Sequence, residues 1–282
     1  MITQLTGAIL RAFLVALLMA IPSLVLPSVA SDTAQIVIIL GFLAGIMVFV
    51  EYHGHCASIV EFRFAPPYNR LKYGFIALTV LLMSIITRGL TDPGSWSVLL
   101  TGIGRGIGQM LDFPYSPVRL VMVLLPHNTD VQTVDLLRTF AGLSYALSFV
   151  MVFTFIGLVH LRGWPVRRQA FNVLLNLPLF DPTAGGDVVS RLNRDASIHI
   201  SLGFLLPFLM PAAVLVISKL IDSFETLGPQ ALIWTICAWS FIPASMIMRG
   251  VATNRIADLI TAKRRRAYAR AASEADESMQ TV

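Results

Sequence analysis

Six stretches of this chain are long and apolar enough to cross a membrane, and they leave little of its 282 residues for a soluble core. A hydrocarbon layer of about 30 Å takes about 20 residues of helix to cross. Inside it the backbone must satisfy its own hydrogen bonds, so apolar runs of this length fold as helices. The runs predict spans over residues 9–29, 33–50, 71–90, 139–161, 198–218 and 229–248. The third is the least apolar, with a centre only from Tyr73 to Ile86, and spans if Lys72 and Arg88 reach opposite headgroup layers. Only 13% of residues are charged, against about 25% in soluble domains. The expected fold is all-α, a polytopic transmembrane bundle of about six spans. Residues 1–272 read as a single transmembrane domain and 273–282, with Glu274, Asp276 and Glu277, as a disordered C-terminal tail.

Orientation follows from the cations, because loops rich in Lys and Arg stay in the cytoplasm whereas Asp and Glu matter little. Of the 21 lysines and arginines, only Arg88, Arg105, Arg119, Arg138 and Lys219 fall on one side of the predicted spans; the other sixteen fall on the side of both termini. Both ends are therefore expected in the cytoplasm. With no organelle-targeting or lipidation motif legible, the bacterial inner membrane is the expected location. A minor alternative is a secretory signal cleaved after Ala30, since small residues occupy Ser28 and Ala30 behind an apolar stretch. The basic balance does not point to nucleic acid; cations spread over cytoplasmic loops serve retention and anionic lipid.

The outer loop 91–138 is too apolar for a solvated loop, yet its two apolar pieces, 97–111 and 118–126, are each too short to span. It is expected to form short interfacial or re-entrant helices, eight spans being the alternative. Within it Gly102, Gly104, Gly106 and Gly108 alternate, giving two interleaved small-xxx-small pairs if helical. The same run is not a phosphate loop, since neither the Gly-Lys-Ser/Thr ending nor the GxGxxG order is present. On the cytoplasmic side the second helix is expected to run on toward Phe64, stopping before Pro66 and Pro67. Arg167 and Arg168, and the run Lys263, Arg264, Arg265 and Arg266, are candidates for contact with anionic headgroups. The last run is expected on a continuation of the sixth helix.

Chemistry is sparse. His53, His55, His160 and His199 all fall at the cytoplasmic boundary and are the candidate metal ligands, able to serve a haem or a transition metal if four helix ends converge. His53 and His55 point to different faces of a helix, and the Glu-x-x-His spacing of di-iron bundles is absent, Gly54 standing three residues after Glu51. Cys56 and Cys237 form no CxxC or zinc pattern. No nucleophile motif of the GxSxG or HExxH kind occurs, so no catalytic residue and no obligatory cofactor is assigned. The predicted spans hold no Asp or Glu, which disfavours ion-coupled transport through a carboxylate. What remains is an accessory, assembly or scaffolding component of a membrane complex. Transport of a neutral or small solute is the alternative, suggested by Pro207, Pro211 and Pro243 within helices. A haem or metal protein comes third.

Overall fold

A computed structural model describes residues 2–26, 31–54, 58–126, 128–165, 176–178, 180–181, 185–220 and 228–280. Among them there is no strand, and eight helices carry the fold. They are α1 (Ile2–Val25), α2 (Ser31–His53), α3 (Tyr68–Arg88), α4 (Ser95–Leu111), α5 (Pro117–Met122), α6 (Val131–Leu161), α7 (Val188–Leu220) and α8 (Pro229–Gln280). Six of these are long and apolar enough to cross a membrane, namely α1, α2, α3, α6, α7 and α8. α4 and α5 are the short pair expected in the loop 91–138.

Several boundaries differ from those expected, each for a local reason. α6 begins eight residues early because Asp130 caps it, its carboxylate accepting from the Thr133 N–H at 2.9 Å. α7 likewise starts behind Asp187, whose carboxylate accepts the Ser190 N–H at 3.1 Å. α2 stops at His53 rather than near Phe64. Glu51 turns the chain back there, accepting the N–H groups of Ser58, Ile59 and Val60 at 2.7, 3.0 and 3.0 Å. Arg63 meanwhile caps the last carbonyls of α2, those of Glu51, Tyr52 and Gly54. The segment expected as a disordered tail is helical as far as Gln280. Its Glu274, Ala275, Glu277, Met279 and Gln280 are good helix formers, and a helix already nucleated extends without the cost of starting a new one.

The helix ends sort onto two faces. One gathers the starts of α1, α3 and α7 with the ends of α2 and α6 and the far part of α8; it holds most of the arginines and is called the basic face below. There Arg11 of α1 lies over the Tyr52 ring of α2 at 4.6 Å, and Trp164, beyond α6, donates to the Ala65 carbonyl before α3 at 3.2 Å. At the opposite face Gln230 of α8 donates to Ser23 of α1 at 3.0 Å.

Small residues set the tight contacts. α7 and α8 run antiparallel, with Gly203 against the Pro243 carbonyl and Gly250 against that of Ala196; a Cβ on either glycine would come within 2.7 Å of that oxygen. α1 and α2 meet at Ala12 and Ala16 against Gly45 and Gly41. Among the described residues the backbone of α2 packs on α1 alone, with Tyr52 at its end reaching Asn69 of α3, and much of its surface presents large apolar residues such as Ile38, Phe42 and Met47, as a helix standing in lipid does. Of the two interleaved pairs on α4, Gly104 and Gly108 face α6, while Gly102 and Gly106 face open space.

α4 meets α3 only near its end, with Ser97 beside Gly89 and Gly104 beside Ile86, and meets α6 at Arg138, Thr139 and Gly142. A 17-residue helix touching so short a stretch of two spans lies across their ends. α5 packs on α6 and α7, and its Val118, Val121 and Met122 are buried in the same core cluster as Leu26, Met83 of α3, Phe140 of α6 and Ile233 of α8, toward the opposite face of the bundle. All four arginines on that face are paired with carboxylates: Arg88 with Asp92, Arg105 with Asp135, and Arg119 and Arg138 both with Asp112.

Proline costs are offset locally. Pro211 cannot donate to the carbonyl of Pro207 four residues earlier, and the indole N–H of Trp239 on α8 fills that vacancy at 3.1 Å.

Candidate functional site

Toward the basic face, α3 and α7 both flank α8 without touching each other, and the slot between them has α8 as its floor. A cavity of about 410 Å³ opens there, lined among others by Tyr68, Asn69 and Lys72 of α3, His199 of α7, and Ser245, Met246 and Arg249 of α8. The turn after α2 supplies the rim, with Ile59, Val60 and Glu61. Phe241, Ser245 and Arg249 recur every four residues and so form one stripe along the floor, grading from apolar to charged toward the basic face.

Arg249 organises the polar end. Its Nε and Nη2 bind the two oxygens of Glu61 at 2.6 and 2.9 Å, a bidentate fork, while Nη1 reaches Asp195 Oδ2 at 2.8 Å. Nη1 also lies 2.8 Å from Nδ1 and 2.6 Å from Nε2 of His199, so the imidazole packs against the same donor. The side chains of Arg249 and Glu61 are only 17% and 12% exposed. One guanidinium thus ties the turn before α3 to α7 and α8.

Two donors of the slot are left out of this knot. The Lys72 ammonium has ring faces for company, 5.4 Å from the Tyr68 centroid and 6.0 Å from that of Phe241, and no carboxylate within ion-pair reach among the described residues. Tyr68 is 1% exposed, its ring enclosed by Phe62, Phe155 and Trp164, and its hydroxyl makes no hydrogen bond among the described residues. Phe62 itself sits in the left-handed region at φ 53°, held there by its N–H donating to the Asn176 carbonyl at 2.7 Å.

The candidate metal ligands are not gathered. His53 is exposed and stacks on Phe49, His160 is exposed at the end of α6, and His199 is engaged with Arg249. His55 lies outside the described residues. Among the described residues no group of three side chains is placed to hold a metal ion, and the helix ends bring His199 together with Glu61, Asp195 and Arg249.

Of the lipid-surface candidates, Arg167 and Arg168 lie outside the described residues, as do Cys56 and the Ala30 cleavage position. Arg264 binds Asp187 at 2.6 Å, tying the far part of α8 to the start of α7. Lys263, Arg265 and Arg266 are exposed on the same helix. Cys237 is a small core residue with its sulfur 3.6 Å from that of Met83.

Sequence reasoning missed the slot because its partners are far apart in the chain. Glu61 and Arg249 are 188 residues apart, Asp195 and Arg249 54. The one local signal is Asp195 and His199, four apart on one helix face, with the ring nitrogen 3.3 Å from the carboxylate. The chain matches no protein-family model, no curated protein and no solved structure.

Proposed function

We propose that this chain is an accessory or assembly component of a membrane protein complex, held in the bacterial inner membrane with its basic face and both ends in the cytoplasm. The observation that carries the reading is internal tying of polar groups: α5 buries its apolar residues against α6 and α7 toward the opposite face, and Glu61, Asp195 and Arg249 near the basic face are spent on one another. A helix set apart like α2, joined to the bundle along one seam, leaves an apolar flank on which a partner's span can lie. The orientation rests on the cations, since the described arginines of the opposite face are four, Arg88, Arg105, Arg119 and Arg138, and most of the rest lie toward the basic face. Lys263, Arg265 and Arg266, exposed and without a carboxylate partner among the described residues, suit attraction to anionic headgroups.

The test is extraction of the tagged protein from its own membrane in a gentle detergent, with co-purifying chains quantified by mass spectrometry. A stoichiometric membrane partner supports the reading. A protein that purifies alone and moves a neutral solute across reconstituted vesicles overturns it. That result would favour transport, which has one observation of its own: Pro207, Pro211 and Pro243 lie inside the two helices beside the slot.

A further inference from the structure

The geometry points to a phosphate-binding site in the slot between α3 and α7, with Lys72 and Tyr68 as its donors and an anionic phospholipid as the occupant. Three observations meet there. The Lys72 ammonium lies against the Tyr68 and Phe241 rings and has no carboxylate within ion-pair distance among the described residues, although Glu61 lines the same cavity and Asp195 borders it through Arg249. Those carboxylates are taken by Arg249, which holds them with three hydrogen bonds of 2.6 to 2.9 Å. An ammonium drawn out of water needs an anion, and Glu61 and Asp195 are already committed to Arg249. The Tyr68 hydroxyl adds a second donor without a partner, on a side chain 1% exposed that lines the same cavity. Ammonium and phenol together donate to oxygen, and phosphate presents several acceptor oxygens where a carboxylate presents two.

The place and shape of the slot choose the amphiphile over a free solute. Lys72 is one turn into α3, at the level where a span leaves hydrocarbon for headgroups, which is where lipid phosphates lie. Because α3 and α7 do not meet, the slot is open sideways, toward where lipid stands. Its floor runs from Arg249 through Ser245 to Phe241, so a headgroup at the charged end leaves an acyl chain lying along the apolar end. Ile59, 64% exposed, and Val60 form an apolar rim over the headgroup end. A cavity of about 410 Å³ accommodates a phosphoglycerol headgroup.

Native mass spectrometry of the full-length protein released from detergent, titrated with dioleoylphosphatidylglycerol, reads the site directly, and calorimetry with glycerol 1-phosphate on the same detergent-solubilised protein separates the two sources of phosphate. A saturable one-to-one lipid adduct that weakens at least tenfold in Lys72→Met, and is retained in Lys72→Arg, is the expected result. Tyr68→Phe removes only a hydroxyl and should weaken the adduct about threefold, which keeps the test decisive should Lys72→Met fail to fold. Binding of glycerol 1-phosphate with the same dependence on Lys72, without preference for the lipid, supports the phosphate site and reassigns its occupant to a solute. Equal lipid and glycerol-phosphate binding by wild type, Lys72→Met and Tyr68→Phe overturns the site.

Discussion

Replacing Arg249 with Met keeps most of the side chain's apolar volume and removes the charge that three elements share. Two carboxylates, Glu61 and Asp195, then face each other at a membrane boundary with side-chain exposures of 12% and 30%. Removing one partner of a fully buried pair costs about 3–5 kcal/mol. The residual exposure of Asp195 lowers this, and about 3 kcal/mol is expected, on the order of a hundredfold in the unfolding equilibrium. Glu61→Met leaves Arg249 with Asp195 and should cost less. The double variant Glu61→Met with Arg249→Met removes the fork from both sides, so its cost should fall short of the sum by at least about 1.5 kcal/mol. Unfolding in mixed micelles by sodium dodecyl sulfate, followed by tryptophan fluorescence, gives all three values. An Arg249→Met variant within about 0.5 kcal/mol of wild type, or a double variant that is simply additive, would refute the view that Arg249 holds the basic face together.

Trp239→Phe should cost about 1–2 kcal/mol, because the Pro207 carbonyl loses its one donor in an apolar interior; adding Pro211→Ala restores a donor within α7, and failure of that second change to recover stability would sink the account. On α4, Gly108→Ala should destabilise by about 1–3 kcal/mol, since the new Cβ would lie 2.7 Å from the Arg138 carbonyl oxygen, whereas Gly102→Ala, in open space, should stabilise by about 0.5–1 kcal/mol. Thermal unfolding in detergent separates the two signs. Asp187 is held below the ordinary aspartate range by its hydrogen bond from Arg264 and then by the Ser190 N–H. A depressed folded pKa means its contribution is complete above the unfolded value of about 3.9 and fades only as pH falls through the lower folded value. Protection of the amides at the start of α7, read by hydrogen exchange, should therefore be flat between about pH 5 and 8 once corrected for intrinsic rate; a loss of protection already near pH 6 would contradict this.

The six spans were legible because length and apolarity are properties of the sequence alone, and the pair α4 and α5 because pieces such as 97–111 were too apolar for water and too short to span. The helix ends were not, since caps such as Asp130 and the Glu51 turn decide them and both are polar residues outside any hydropathy window. Four alternating glycines announced a close contact but not which pair makes it; that depends on the rotation of α4 against Arg138 and Gly142. Charge content misled more seriously. Windows chosen for lacking Asp and Glu stop short of Asp135 and Asp195, which lie inside the real helices and carry their contacts. The placement of four histidines at one boundary pointed to helix ends meeting there, and described ends do meet, around Arg249, whose partners Glu61 and Asp195 are distant in the chain.

α8 is a single helix of 52 residues, and Arg249, the floor of the slot, lies well inside it. Arg255 donates to the Trp164 carbonyl at 3.2 Å, Ala252, Ile256 and Ala257 are buried, and Arg264 binds Asp187, so α8 is fastened to the bundle as far as Arg264. Beyond it the described side chains as far as Asp276 are exposed, and at about 1.5 Å per residue some 24 Å of helix runs on to Gln280 as a lever arm. A tilt of about 10° at Arg264 carries the tip about 4 Å, the scale on which a contact is made or broken.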